Sequence, residues 1–419
     1  MQIRKKSNVR EYSYEILLGV FYNGELLNES INKCFNDNDL SDKDKSYIRN
    51  ECAGIIEKCD KIDSRIKKHL KNKNKKLDKE LQLVLRIGCY ELLYLDKIPS
   101  FAAINESVNL IKKTKLRALS GFVNAVLRNI GREENNETNS NVSSINALVP
   151  KRCYFRIYGD RELEVIKELD EKNIIYNLYD GALNFKYAKV YYASGYKDII
   201  DTKCFREGFT MISDASSIYL TDKLAELIKS KNDRFNNETI SILDVCAAPG
   251  GKILGLIDLL DLSAGEFFAE ARDISVDKIN KIRENVDRLK TKGLKLRVKD
   301  ASIYDDADKE KYDVIICDVP CTGLGVVGKK PDIKLHFTKE KLKSLVTLQK
   351  KIINASSKYL RQGGLLSYST CTTTKEENEA VVSEFLENNN DFSKIFEKRI
   401  ELNDENMADG FYMCFLEKS

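Results

Sequence analysis

The chain has 419 residues, 42% apolar and 32% charged, which is long enough for two or three domains with cores of their own. No apolar run approaches the ~18 residues of a membrane span, and the basic start MQIRKKSNVREYSYE lacks the apolar stretch of a secretory signal, so a cytoplasmic protein is expected. The net charge of +4 is unevenly spread: residues 1–133 carry 26 Lys and Arg against 18 Asp and Glu, which leaves the remainder slightly acidic.

In chain order, residues 8–132 read as helices. EYSYEILLGVFYN, DKSYIRNECAGIIEKCDKIDSRIKKHL, LDKELQLVLRIGCYELLYL, FAAINESVNLIKKT and ALSGFVNAVLRNIGR each repeat apolar residues at three-to-four spacing. Ser41 and Asp42 are candidate N-terminal caps, and Pro99 separates two helices. An all-helical domain over 1–133 follows. Within it, residues 61–79 hold nine basic and two acidic side chains, either a solvated lysine-rich face or a phosphate-contacting patch.

The polar stretch REENNETNSNVSSIN predicts a flexible linker, bounded as 134–149. CYFRIY and AKVYYAS then read as strands around the helix ELEVIKELDEKNI, a small α+β segment over 150–210. From 211 to 419 the alternation becomes regular. SILDVCA, GEFFAEA, LKLRVKD, YDVIICD and GGLLSYST are short buried strands, with helices such as SVDKINKIRENVDRLK between them. That pattern predicts a doubly wound, mostly parallel α/β sheet, whose ligands sit at the carboxyl ends of the strands.

Those strand ends carry the chemistry. After the first comes DVCAAPGGK, 244–252, a glycine turn that lets backbone approach a ligand and opens a helix with uncapped amides. It has neither dinucleotide-binding nor phosphate-loop spacing. The second strand is followed by Asp273, placed to take ribose hydroxyls, and the third by Asp300, placed to accept from an adenine amino group. Each acid could equally cap the helix after it. A nucleoside without a phosphate site fits S-adenosylmethionine better than a nucleotide.

The fourth strand ends in ICDVPCTGLG, 316–325, and the fifth in YSTCTTT, so Cys321 and Cys371 share one cleft. Pro249, Pro320 and Pro331, three of only five prolines, stiffen these loops. The eleven cysteines are odd in number, dispersed and without a CxxC pair, which argues against a disulfide framework. With only His69 and His336 beside them, they show no zinc-ligand spacing, and no metal is expected. Most should be small buried hydrophobes.

Together DVCAAPGGK, DVPCTGLGVVGKKPDIK and YSTCTTTKEENEAVV resemble the motifs of the Sun/Nop family of RNA cytosine-5 methyltransferases. IPSFAAINESVNLIKK and GFVNAVLRNIGRE resemble a NusB-like RNA-binding domain. The chain departs from the pattern at Gly328 and Lys329, where the family often has arginines, and at Lys375, where a proline is common.

The resemblance implies an all-α NusB-like domain, then a Rossmann-like S-adenosylmethionine-dependent domain. Its substrate would be RNA: the NusB-like part favours ribosomal RNA, and its fusion to this catalytic domain resembles family members that act on 16S ribosomal RNA. A monomer is expected, with no DNA or membrane partner. Residue by residue, it implies Cys371 as the nucleophile that adds to C6 of cytosine, and Cys321 as the thiol that assists product release. Asp318 would contact base or cofactor. Cys246, Ala247, Ala248, Pro249, Gly250, Gly251, Lys252, Asp273, Asp300 and Asp318 would line the cofactor, with Cys246 there for backbone and packing. The alternatives are the same chemistry on transfer RNA or 23S ribosomal RNA, and a non-catalytic RNA-binding or antitermination factor.

Overall fold

The protein is described by a computed structural model covering residues 8–72, 76–137, 152–231, 239–262, 267–403 and 407–419. It divides into two compact units, residues 1–147 with 327–336 and residues 148–326 with 337–419. Among the described residues no helix is long and apolar enough to cross a membrane.

The first unit is helical: α1 (Val9–Tyr22), α2 (Leu27–Asp37), α3 (Asp42–Glu57), α4 (Cys59–Lys68), α5 (Lys79–Tyr94), α6 (Ser100–Lys112) and α7 (Ser120–Glu137). Side chains of Asn8, Ser41 and Asp78 cap α1, α3 and α5 by accepting from backbone amides in the first turn. Asp42 is not a cap but the first residue of α3. The long run 44–70, expected as one helix, breaks at Lys58 into α3 and α4.

α5 is the central helix. It is buried from Leu81 to Glu91, and a Cβ on its Gly88 would lie 2.4 Å from the Ser107 hydroxyl on α6 and 2.5 Å from Leu127 on α7. α7 continues to Glu137, so the start of the expected linker is helical, whereas 138–149 lies outside the described residues.

Residues 327–336 complete this unit. Their single 3-10 stretch, Pro331–Leu335, brings the Asp332 carboxylate to the backbone N–H of Leu27 at 3.0 Å, and Leu335 packs against the helical core. Leu27 opens α2, which has no side-chain cap of its own, so a residue 305 positions away caps that helix.

The second unit holds two sheets. β1 (Cys153–Ile157), β2 (Tyr176–Leu178), β3 (Val190–Ala193) and β4 (Thr210–Ile212) form an antiparallel sheet in the order β2-β3-β1-β4, with α8 (Glu162–Glu171), α9 (Tyr196–Ile200) and α10 (Lys203–Arg206) between strands. The boundary expected at 211 falls inside β4, and the segment expected as separate, 150–210, lies in one compact unit with the residues that follow it.

Two arginines explain the join. Buried Arg156 donates to the Gly255 carbonyl at 3.0 Å and pairs with Asp258, while Arg288 donates to the carbonyls of Phe205 and Thr210 at 2.8 and 2.7 Å. Gly255 and Asp258 lie on α12 (Gly251–Leu259), and Arg288 on α13 (Val276–Leu289).

After α11 (Ala215–Ser230) comes the larger sheet: β5 (Ile240–Asp244), β6 (Phe267–Asp273), β7 (Leu294–Val298), β8 (Tyr312–Asp318), β9 (Leu360–Thr370), β10 (Phe392–Ile400) and β11 (Phe411–Lys418). Its order is β10-β11-β9-β8-β5-β6-β7, parallel from β7 to β9 and antiparallel at β11 and β10. α14 (Lys339–Ser357) and α15 (Glu379–Asn388) flank β9 in the sequence. The chain runs outward from β5 to β7 and then restarts at β8 on the other side. The switch point therefore lies between β5 and β8, where open α/β sheets bind ligands.

Candidate active site

Asp244 ends β5 and Asp318 ends β8, so both acids stand at the switch point. Lys252, in the first turn of α12, pairs with Asp318 Oδ2 at 2.6 Å, and the Ser369 hydroxyl on β9 donates to Asp318 Oδ1 at 2.7 Å. Burial opposes the charge on Lys252, but Asp318 and Asp244 outweigh it and hold the ammonium above its ordinary pKa. Asp244 is itself buried, and that burial pushes its carboxyl up to about 8, with Lys252 opposing and Asp318 adding to the rise.

The turn between β5 and α12 is tightly built. Ala247 N–H donates to the Arg272 carbonyl at 2.8 Å, Ala248 N–H to Asp273 Oδ2 at 2.9 Å, and Asn285 to the Pro249 carbonyl at 3.0 Å. The Ala248–Pro249 peptide is cis, and Gly250 has φ +100°, a left-handed conformation that favours glycine. Gly251 opens α12 without a side-chain cap, so the first amides of the helix face the turn. Burial holds the Cys246 thiol well above its usual range, and its backbone N–H donates to Asp244 Oδ1 at 3.3 Å, a packing role.

Asp273 ends β6 and is almost fully buried. It also accepts from Ile274 N–H at 2.8 Å and pairs with Lys278 at 2.9 Å. Lys299 N–H donates to the Asp273 carbonyl at 2.9 Å, which brings the end of β7 alongside. Asp300 follows, and its Oδ1 accepts both the amide and the hydroxyl of Ser302, at 2.9 and 2.7 Å.

The two thiols meet. Cys321 Sγ and Cys371 Sγ are 3.3 Å apart, and all eleven cysteines are thiols rather than disulfides. The hydrogen bond with Cys371, then burial, hold Cys321 well above its ordinary pKa. Gly325 closes the loop after Cys321: its N–H donates to the Cys371 carbonyl at 3.0 Å, and its carbonyl accepts from Gly410 at 2.9 Å.

Sequence reasoning missed the supports of this cluster: Ser369 on Asp318, the orphaned Asp244 oxygen, and Gln349, Glu377 and Asn378 behind the thiols. Ser369 had a signal, since alternation in YSTC sets it on the same face as Cys371. The others had none.

Comparison with known proteins decides the family. A family described as 16S rRNA methyltransferase RsmB/F matches residues 232–416, and the NusB family matches 7–132. The C-terminal domain belongs to the RsmB/F methyltransferases and the N-terminal domain to the NusB family.

Among relatives of this chain, the probable ribosomal RNA small subunit methyltransferase B of Bacillus subtilis is 26% identical, covering 99% of each chain. The ribosomal RNA small subunit methyltransferase B of Proteus mirabilis is 28% identical over 90% of this chain and 92% of its own. The fold is shared with the crystal structure of PH0851, at 20% identity, TM-score 0.71, covering 99% of this chain and all of that one. It is shared too with NSun6 from Pyrococcus horikoshii, at 21% identity, TM-score 0.52, covering 69% of this chain and 95% of that one.

RsmB/F-type methyltransferases use S-adenosylmethionine. The residues present fit it. Asp244 Oδ2 is buried without a hydrogen-bond partner, and with the neighbouring Asp318 carboxylate it forms an acceptor set at the switch point that suits a cationic ligand. Ile274 and Ile303, 60% and 64% exposed beside Asp273 and Asp300, offer apolar surface for an adenine ring.

Proposed function

We propose that the protein methylates C5 of a cytosine in 16S ribosomal RNA through a covalent bond between a cysteine and C6, acting as a monomer. The observation that carries this reading is the pair of thiols in contact, 3.3 Å apart, delivered by two adjacent parallel strand ends. The names of the relatives, ribosomal RNA small subunit methyltransferase B, support the 16S target.

Cytosine C5 is a poor nucleophile. A sulfur that adds to C6 turns C5 into an enamine-like carbon, able to attack an electrophilic methyl group. Bound S-adenosylmethionine supplies that methyl. Cys371 is the attacking residue in this reading, and Cys321, held protonated by its hydrogen bond with Cys371 and by burial, is the thiol kept for release. Loss of the C5 proton then expels Cys371, and the Cys321 thiol is placed to stabilise the departing sulfur. Asp318, fixed by Lys252 and Ser369, presents an acceptor for the amino group of the base. Cys246 to Lys252, Asp273 and Asp300 are the cofactor contacts in this reading.

The target cytosine must leave its stack to reach the thiols, so a grip on RNA is required. The basic stretch 61–79 of the NusB-family domain supplies it. Reversing Lys67, Lys68, Lys71 and Lys76 to Glu should weaken RNA binding at least tenfold while leaving cofactor binding unchanged, and equal loss of both would count against this assignment.

A covalent-trapping gel with ribosomal RNA and cofactor tests the chemistry. Cys321→Ala should accumulate a protein–RNA adduct, and Cys371→Ala should not. The reverse pattern would exchange the two roles. Absence of adduct and of methylated RNA would reject the covalent reading. Bisulfite mapping of RNA from a deletion strain tests the target, and a site lost from 23S or transfer RNA would replace 16S.

A further inference from the structure

Behind the two thiols lies a polar knot that neither strand end explains alone. Glu377 is fully buried, and four hydrogen bonds converge on its carboxylate. Oε1 accepts from the Thr322 backbone N–H at 2.8 Å and from the Gln349 side-chain amide at 3.0 Å. Oε2 accepts from the hydroxyls of Thr322 and Thr374 at 2.5 and 2.7 Å. Thr322 directly follows Cys321 and Thr374 comes three residues after Cys371, so one side chain grips both cysteine loops.

Its neighbours extend the grip. The same Gln349 nitrogen donates to the Pro320 carbonyl at 2.9 Å, which holds the other side of Cys321. The Thr322 hydroxyl spends its one proton on Glu377, so the Thr372 hydroxyl, 2.8 Å away, must donate to it and ties the loops directly. Asn378 donates to the Thr372 carbonyl at 3.0 Å and accepts from the Thr370 hydroxyl at 2.5 Å. The negative charge also reaches Cys321, for Glu377 is among the groups that keep that thiol protonated. A buried carboxylate is costly unless donors surround it, and here every donor comes from a cysteine loop or from the helix that backs one.

We infer that Glu377 is a positioning residue for the methylation: it fixes the separation of the Cys321 and Cys371 sulfurs and so keeps the release thiol registered on the attacking one. The inference rests on the proposed function for the roles of the two thiols, but not for their spacing.

Two readouts separate these. The first is the rate at which diamide joins Cys321 to Cys371, followed by peptide mass spectrometry. The diazene takes up both thiol hydrogens as the S–S bond forms, and neither RNA nor cofactor is needed. The second is methylation of ribosomal RNA under saturating cofactor. Glu377→Gln keeps the size but removes the charge and puts an amide N–H₂ where Oε2 now accepts, so the Thr322 and Thr374 hydroxyls would have to turn from donors into acceptors. It should slow cross-linking at least tenfold and lower kcat at least tenfold, with KM for RNA within twofold.

Glu377→Asp keeps the charge and all its acceptors and should recover part of both losses. Thr374→Val removes a single donor, which the fold should tolerate, and should move both readouts several-fold in the same direction. Wild-type cross-linking and kcat in Glu377→Gln would overturn the inference. So would a loss of kcat, RNA affinity and melting temperature together, with cross-linking unchanged. If the wild-type protein methylates no RNA, the proposed function fails, and the cross-linking rates still decide what Glu377 does.

Discussion

Glu51 in the helical unit and Glu377 in the methyltransferase unit are both fully buried carboxyl groups, and their surroundings treat them oppositely. Four donors converge on Glu377. Glu51 Oε1 meets the Tyr47 hydroxyl at 2.9 Å, the Ser13 hydroxyl is a second donor-capable neighbour, and Oε2 has no hydrogen-bond partner. Tyr47 also lies 2.7 Å from Glu91 Oε1.

A hydroxyl has one proton to give, so the chain of hydrogen bonds runs from a protonated Glu51 through Tyr47 to Glu91, which Arg10 holds at 2.5 Å. Burial, then the charge on Glu91, push Glu51 up to about 8. The comparison teaches that burial alone says little about a carboxyl group. Where donors surround it, the charge can organise two loops; where they are few, the group gives up its charge.

The largest effect should come from disturbing the thiol loops without touching a titratable group. A Cβ on Gly325 would lie 1.9 Å from the Gly410 carbonyl oxygen and 2.8 Å from that of Cys371, so backbone must move. Gly325→Ala should cut methylation at least a hundredfold and cost ~3 kcal/mol in denaturant unfolding. Gly328→Ala, whose Cβ meets nothing within 4 Å, should leave both unchanged. A harmless Gly325→Ala would sink the view that the thiol loops are rigidly braced.

Arg10→Met should be as costly to stability and silent in catalysis. It strips the cation from Glu91, whose side chain is fully buried, and should lose ~3 kcal/mol while methylation per folded molecule stays at the wild-type value.

Glu51 supplies the pH test. Its folded pKa is raised, so the folded state keeps a proton that the unfolded chain releases above its ordinary pKa of 4.5. Stability is therefore full below about 4.5, falls as pH rises toward 8, and levels off beyond. Glu51→Gln removes that contribution and should be ~4 kcal/mol more stable than wild type at pH 8 but equal near pH 4.5, read from melting curves. A wild-type stability that, measured relative to Glu51→Gln, rises over this range would contradict a protonated Glu51. The smallest effect should be Ser41→Ala, which removes the side-chain cap of α3 and should cost ~1 kcal/mol.

The strand ends were the most legible part of the molecule. Short apolar runs, each closing on an acid, a proline or a thiol, placed Asp244, Asp273, Asp318, Cys321 and Cys371 correctly at strand ends, because side-chain alternation and burial act over a few neighbouring residues. Caps were legible for the same reason at Ser41, and the shift by one at Asp42 is a matter of which side chain reaches the first amides.

What escaped depends on distance along the chain. Glu377 sits in TTTKEEN, which reads as a polar surface turn, and only the arrival of Thr322 and Gln349, 55 and 28 residues earlier, makes it a brace. The break at Lys58 carries no proline or glycine. β10 mixes apolar and charged residues in FSKIFEKRI and β11 opens on a continuous apolar run in FYMCFLEK, yet their place at one edge of the sheet is set by the pairing of β11 with β9 and of β10 with β11. The union of the small sheet with the larger one is tied by Arg156 and Arg288, whose bonds to distant carbonyls no local pattern announces.

The borrowed cap on α2 bears on how the gene could be cut. A coding segment ending at residue 147 would encode all seven helices, yet the amide of Leu27 would lose Asp332 and the helical core would lose Leu335. In assembly terms the unit is discontinuous: its last piece is synthesised only after β8 and the Cys321 loop, so the helical fold is finished late in translation rather than first.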